Sequence, residues 1–358
     1  MAAPYSLEVE DSNLGGNHVV SGENEDVTRA QADALARTRQ QEFELEQFQN
    51  ILRPRLSVKH AVDWEKLKRH DEYPAPKPPE VVYREFPPEP KPDDPCYRLT
   101  STDTVTAADT LNQQKTRELQ ERYVRDYTAW AETVREVETE NQRRYAECMA
   151  AVEDWNNGLL KHRKVLAEYN SAVEKRKADY ASLQPDAVER YFREVLSASP
   201  LPEKFTCEFD LQYVPEAKSL IVEHLLPTPA VLPRIKEVKY LEERCEFVSL
   251  PFSNAALSRI YADIVYQICF RTLYELFDAD TADALHGVFF TGWVKAVAKS
   301  NGAKTRICVL SVAAQKQRFQ ALNLWDTDAK DCFKSLGGEG NPTVTALVPV
   351  QPALKITR

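Results

Sequence analysis

Residues 253–277, SNAALSRIYADIVYQICFRTLYELF, decide the fold class. Ser253 or Asn254 can cap the N-terminus of a helix. Leu257, Ile260, Tyr261, Ile264, Val265, Ile268, Leu273 and Leu276 then make it apolar on most sides. Such a helix has no face to give to water and belongs buried against a sheet. Strands are available on either side of it. Upstream, Thr206–Val214 alternates polar and apolar residues, Pro215–Lys218 turns, and Ser219–Leu226 returns as a hairpin, with Ile235–Leu241 as a third strand. Downstream, Val288–Val297, Thr305–Ala313 and Phe319–Leu324 read as three more, the first two joined by a turn at Lys299–Lys304 that contains Asn301-Gly302. Asp186 caps a helix over Ala187–Ser197, and a short helix at Asp328–Leu336 ends at Gly337-Gly338. The expectation is an α+β domain over residues 185–340, with a mixed or antiparallel sheet and a buried central helix.

Upstream of residue 185 the character changes. No proline occurs between Pro95 and Pro185, and residues 96–184 read as one long, coiled-coil-like helix. A heptad threads through Tyr127, Trp130, Val134, Val137, Asn141, Arg144, Cys148, Ala151, Trp155, Gly158, His162, Val165, Tyr169 and Ala172. Asn141, Arg144 and His162 interrupt it, and Trp155–Gly158 is the one plausible turn. The phase does not change there, which favours a continuous helix. The apolar seam predicts self-association, hence a homo-oligomer. Nine prolines in residues 74–95 predict an extended polyproline-like spacer. Residues 1–26 read as a disordered tail, 27–73 as a short helical segment, and 341–358 as an extended linker.

The chain has 358 residues, with 46 basic and 55 acidic side chains and a net charge of −9. The acid excess lies in residues 1–95, which hold 12 basic and 19 acidic groups. No segment has the basic excess of a typical nucleic-acid module. No apolar run is long enough to span a membrane, and the first residues do not form a secretory signal. Seven scattered cysteines fit reduced thiols and a cytoplasmic location. No phosphate-cradling Gly-x-x-x-x-Gly-Lys motif and no Gly-x-Ser-x-Gly elbow occurs. The six histidines do not cluster with cysteines or with one another, so no metal site and no cofactor is expected.

Two patterns are candidates for chemistry. Glu237-Val-Lys239 on a strand, with Asp210 on an earlier one, has the residue types of a metal nuclease, in which carboxylates hold Mg²⁺ and a lysine orients water. The same Glu-x-Lys spacing at Glu89–Lys91 and Glu216–Lys218 makes an ordinary salt-bridging pair the better reading. Lys161, Arg163 and Lys164, with Lys175, Arg176 and Lys177, could meet phosphates, although Glu168, Glu174 and Asp179 stand at pairing distance along the helix.

Several strings, taken together, resemble a known family. They are Val62–Leu67, Asp186–Phe192, Leu220–Pro227, Leu232–Tyr240, Tyr266–Phe277, Phe290–Val294 and Cys332–Gly337. In content and order they look like the non-catalytic N-terminal region of bacterial restriction-endonuclease-like proteins that end in an Mrr-type nuclease domain. The resemblance implies a targeting or oligomerisation region of a DNA restriction or phage-defence endonuclease. It implies DNA and an Mrr-type nuclease domain or subunit as partners. Mg²⁺ is expected only for that nuclease domain, whose motif would follow a segment like Ala346–Arg358 and matches no position here. The alternatives are a structural coiled-coil adaptor without a nucleic-acid role and a divergent metal-dependent nuclease.

Overall fold

In a computed structural model of the chain, residues 5–11, 16–99, 109–205, 207–297, 304–341 and 346–356 are described. They form two compact units. Unit 1 combines residues 1–67 with 173–358, and unit 2 is residues 68–172. The expected α+β domain therefore does not begin at residue 185, because residues 27–67 are part of it.

The frame of unit 1 is a five-stranded mixed sheet in the order β3-β4-β7-β8-β9. Its strands are β3 (Glu208–Val214), β4 (Ser219–Leu226), β7 (Gly287–Val297), β8 (Lys304–Gln315) and β9 (Glu339–Gly340). β3 and β4 form the expected hairpin, with Lys218 in the left-handed region at φ 43°. β4 then pairs in parallel with β7, Leu220 beside Val288. A parallel pair requires a long crossover. Here the crossover carries a two-stranded ribbon, β5 (Ile235–Leu241) with β6 (Glu246–Pro251), and the helix Asn254–Ala279. That helix is the apolar segment that decides the fold. Ser253 caps it through a 3.1 Å bond from Ala256 N, and Tyr261, Ile264, Val265, Ile268, Phe270 and Leu273 are fully buried. β4 is buried on both faces, which explains its unbroken apolar run.

The N-terminal segment completes this core. Helix α1 (Glu25–Gln49) is capped by Asn24, which accepts bonds from Asp26 N and Val27 N. Thr38 on α1 accepts a 2.9 Å bond from Val238 N of β5. Phe48, Ile51, Leu52 and Leu56 are core residues, with Phe48 packed on Phe205 at 4.7 Å. Helix α2 (Trp64–Leu67) brings Trp64 onto Tyr191, and Tyr191 stacks on Tyr180 at 3.8 Å. Tyr180 lies near the end of α3 (Asp109–Ala181), and Tyr191 lies on α4 (Pro185–Ser197). Between these two helices Leu183 adopts φ 57°. Gln184 N bonds Asp179 O and Leu183 N bonds Tyr180 O, so the long helix ends in the pattern usually built on glycine.

Four expectations need correction. Residues 5–11 and 16–22, read as disordered, pair as an antiparallel ribbon, β1 (Tyr5–Asp11) with β2 (Gly16–Gly22). Their short Ser-Leu-Glu-Val alternation was masked by the acidic composition. Phe319–Leu324 is not a strand. Lys316–Gln320 is helical, and Phe319 turns inward to stack on Phe270 at 5.7 Å. β6 was missed because its residues are mostly exposed and show no apolar alternation. The C-terminal segment is extended but lies on the sheet. Val350 N bonds Cys308 O, Ala353 N bonds Ser311 Oγ, and Ile356 N bonds Glu223 Oε1. Most of the expected turn at 299–304 lies outside the described residues.

His224 on β4 gives a pH test. It is buried between Phe209 and Phe290, and burial pulls its pKa down to about 4. The unfolded chain then holds more protons on this group between about pH 6.5 and 4, so acid removes stability across that window. The loss through this group is expected to reach about 3 kcal/mol near pH 4. Urea titrations of His224→Phe should show a shallower fall over the same window, and parallel curves for the two proteins would refute this assignment. In a second test, residues 185–340 alone should lack a cooperative calorimetric transition. Removing residues 25–67 exposes the surface that Phe48, Ile51 and Leu52 cover, and a sharp melt of 185–340 would show that segment to be dispensable.

Candidate functional site

In unit 2 the proline-rich segment is fastened along the long helix. Proline lacks an N–H, and a polyproline-like chain makes no internal hydrogen bonds. Side chains of α3 bond its backbone instead. Asn170 accepts from Arg69 N at 2.9 Å and donates to Arg69 O at 2.9 Å. Asn141 does the same to Arg84, at 2.7 and 2.9 Å. The indoles of Trp155 and Trp130 donate to Ala75 O at 2.8 Å and Pro87 O at 3.0 Å. Arg144 reaches Val82 O at 3.1 Å, and His162 lies 3.2 Å from Asp71 O. The Arg144 guanidinium also bonds Glu140 and holds its carboxyl below the usual range. Near the other end, the Tyr97 hydroxyl donates to Asp126 at 2.9 Å. Desolvation and that carboxylate push its pKa up to about 12.

The spacing of these contacts fits the two backbones. From Arg69 to Pro87 the strap advances 18 residues, roughly 56 Å at polyproline rise. From Asn170 back to Trp130 the helix covers 40 residues, roughly 60 Å. The two therefore run antiparallel without slack. Gly158 belongs to the same arrangement. A Cβ there would lie 2.0 Å from the Tyr73 hydroxyl, so the glycine provides a seat for Tyr73 and not a turn. The helix is continuous through it, as the unchanged phase led us to expect.

The long helix of the coiled-coil expectation is present, and within the chain its seam has a cover of its own. The seam assigned to a partner helix is covered by the chain's own strap. A line of covered positions runs 123, 126, 130, 134, 137, 141, 144, 148, 152, 155, 159, 162, 166 and 170, a mean step of about 3.6, with 131, 133, 140 and 158 half-buried beside it. A supercoiled seam would hold 3.5. Of the heptad positions off this line, Tyr127, Ala151, Val165, Tyr169 and Ala172 are exposed and Gly158 is half-buried. The three interruptions of the heptad, Asn141, Arg144 and His162, are all among the residues that hold the strap.

In unit 1 a buried ionic cluster centres on Glu275 of α5 (Asn254–Ala279), whose side chain is almost fully buried. Its Oε1 accepts from Arg55 Nε at 2.7 Å, from Arg271 Nε at 3.1 Å and from Ser199 Oγ. Arg271 Nη2 also donates to Ser199 Oγ and to Pro200 O. Burial lowers the Arg271 pKa, and Glu275 opposes that shift. Beside it, Asp278 accepts from His60 N at 2.9 Å and lies 3.0 Å from His60 Nδ1. His60 Nε2 is buried without a hydrogen-bond partner, 3.7 Å from Glu275 Oε1. Sequence reasoning missed this cluster. The available signal was a charged pair, Arg271 and Glu275, one turn apart in an otherwise apolar helix.

The candidate nuclease residues are not brought together on one sheet. Asp210 lies on β3 of the five-stranded sheet, while Glu237 and Lys239 lie on the separate β5–β6 ribbon. Glu237 and Lys239 form an ion pair at 3.4 Å with both side chains largely exposed. The basic residues do not line one face. Arg163 lies across the helix from Lys161, Lys164 is 3.9 Å from Glu168, and Arg176 pairs with Glu194 of α4. Among the described residues, no group of three His, Cys, Asp or Glu side chains is placed to hold a metal ion. No described helix is long and apolar enough to cross a membrane. The chain matches no family model, no curated protein and no solved structure.

The strap contacts can be tested residue by residue. Amide exchange of Arg84 should be slow for so exposed a segment, because its N–H is held by Asn141. Asn141→Ala should restore fast exchange there and leave Arg69 protected. The loss of two neutral bonds is expected to cost about 1–3 kcal/mol locally. Equal exchange at Arg84 in both proteins would mean that the bond does not fasten the strap.

Proposed function

We propose that the chain is a non-catalytic interaction protein in which unit 2 serves as a stiffened spacer and unit 1 as a binding body. The single observation that carries this reading is the side chain-to-backbone fastening of the strap along the helix. A lone amphipathic helix needs tertiary cover to persist, and here the cover comes from the same chain. Residues 109–172 alone would span about 95 Å. The fastening requires two tryptophans, two asparagines, an arginine and a histidine in register over most of that length, which is far more than a tether needs. A flexible tether is obtained with glycine and serine. An Mrr-type nuclease subunit is one partner such a spacer would serve. The support for that choice is the set of strings quoted above, and co-purification with such a subunit would test it.

The spacer reading predicts a fixed length. Spin labels at positions 132 and 161, in a background with Cys96, Cys148, Cys207 and Cys245 replaced by serine, should give one narrow distance distribution near 44 Å. Replacing the prolines of residues 74–92 by glycine should broaden it. The same change should uncover Trp130 and Trp155 and raise the sedimentation coefficient through self-association. A broad distribution in the parent protein would rule out the spacer.

A further inference from the structure

A cavity of about 560 Å³ in unit 1 opens beside the Glu275 cluster. Both arginines of that cluster line it, together with Phe43, Ile51, Pro54 and Leu201. The volume lies in the range of small-molecule sites, and so does the combination of apolar walls with a few polar groups.

The two guanidiniums on its lining are only partly used. Two guanidiniums share one carboxylate oxygen, and each meets it through Nε. Arg271 spends Nη2 on Ser199 and Pro200. Among the described residues, Arg271 Nη1 and both Nη atoms of Arg55 have no partner. Arg271 is 95% buried as a residue, yet its unpartnered Nη1 is not among the fully buried atoms and so keeps contact with solvent. A guanidinium presents its donors as a fork suited to a carboxylate, and burial strengthens such a bond. If the cluster served only to neutralise Glu275, a single arginine with a bidentate grip would do it.

We propose that this cavity binds a small organic monocarboxylate, with the carboxylate on Arg55 and Arg271 and a hydrocarbon or aromatic body against Phe43, Pro54 and Leu201. One carboxylate suits the guanidinium donors that Arg55 and Arg271 leave unpaired. A second would be disfavoured, because Glu46 stands exposed on the lining. The apolar walls have nothing to offer a bare inorganic anion. The site therefore separates a monocarboxylate from phosphate, which a simple basic patch would not do.

The experiment is a thermal-shift and calorimetric titration of the full chain with sodium hexanoate and sodium benzoate. Sodium phosphate and sodium chloride at matched ionic strength are the controls. A ligand that binds only the folded chain raises the melting temperature along a saturating curve. Hexanoate or benzoate should do so, and the two controls should not. Arg55→Gln should weaken that binding roughly tenfold or more. Leu201→Trp fills the cavity from its apolar side, leaves the ionic cluster intact and should also abolish binding. If Arg55→Gln fails to fold, Leu201→Trp decides alone. The proposal is overturned if neither carboxylate gives a saturable shift, if phosphate shifts the melt as much, or if the shift survives in Leu201→Trp.

Discussion

A buried carboxylate that loses its partners costs several kcal/mol, and Glu275 has its partners on segments far apart in the chain. Arg55 comes from the N-terminal segment, Ser199 from the turn after α4, and Arg271 from one helical turn back on α5. Asp278 and Gln267 on the same helix repeat the pattern. They hold His60 N and the backbone of Ile51 and Leu52. The central helix thus presents a row of polar side chains to one incoming strand of chain, on a surface otherwise apolar. Hydrophobic burial alone would let residues 48–56 slide along α5. The row of bonds fixes where they dock, and with them α1 and its Thr38 contact to β5.

Unit 2 solves a related problem with the roles reversed. There the docked segment has unsatisfied backbone and few useful side chains, while the helix supplies the polar groups. Asparagine is suited to this, because its amide donates and accepts across one peptide unit as a neighbouring strand would. Asn141 and Asn170 stand eight helical turns apart, so the two clamps set the strap's register at distant points. Between them the Trp155 indole and Arg144 add single bonds to carbonyls, which proline leaves intact, and the Trp130 indole adds another beyond Asn141.

What could be read from the sequence followed what local pattern can carry. The apolar helix 253–277, the two-sided strand 219–226 and the unbroken helix through Trp155–Gly158 each announce themselves within a short window. The docking of residues 25–67 does not, because an amphipathic pattern states that a face is buried and not what covers it. The same limit applies to what covers the long helix. Trp130, Val137 and Trp155 signal a covered seam, but a strap and a partner helix leave nearly the same imprint. The discriminating mark was the choice of interruptions. Asparagine, arginine and histidine at seam positions are poor core residues for a helix pair, and all three can bond a foreign backbone. The separation of Asp210 from Glu237 was not legible either, since alternation assigns residues to strands but does not say which strands share a sheet.

The long reach of the Glu275 contacts has a consequence for how the protein is made. Arg55 leaves the ribosome 220 residues before Glu275. At roughly 5–20 residues per second, that gap lasts on the order of ten to forty seconds. Throughout it, Phe48, Ile51, Leu52 and Leu56 have no core to enter, because the helix that buries them has not been translated. The strap and its helix lie in one continuous stretch between, and can close on each other while synthesis continues. The nascent chain therefore carries a finished middle and an unsatisfied beginning, and its sticky N-terminal helix must be kept from other chains until the last third emerges.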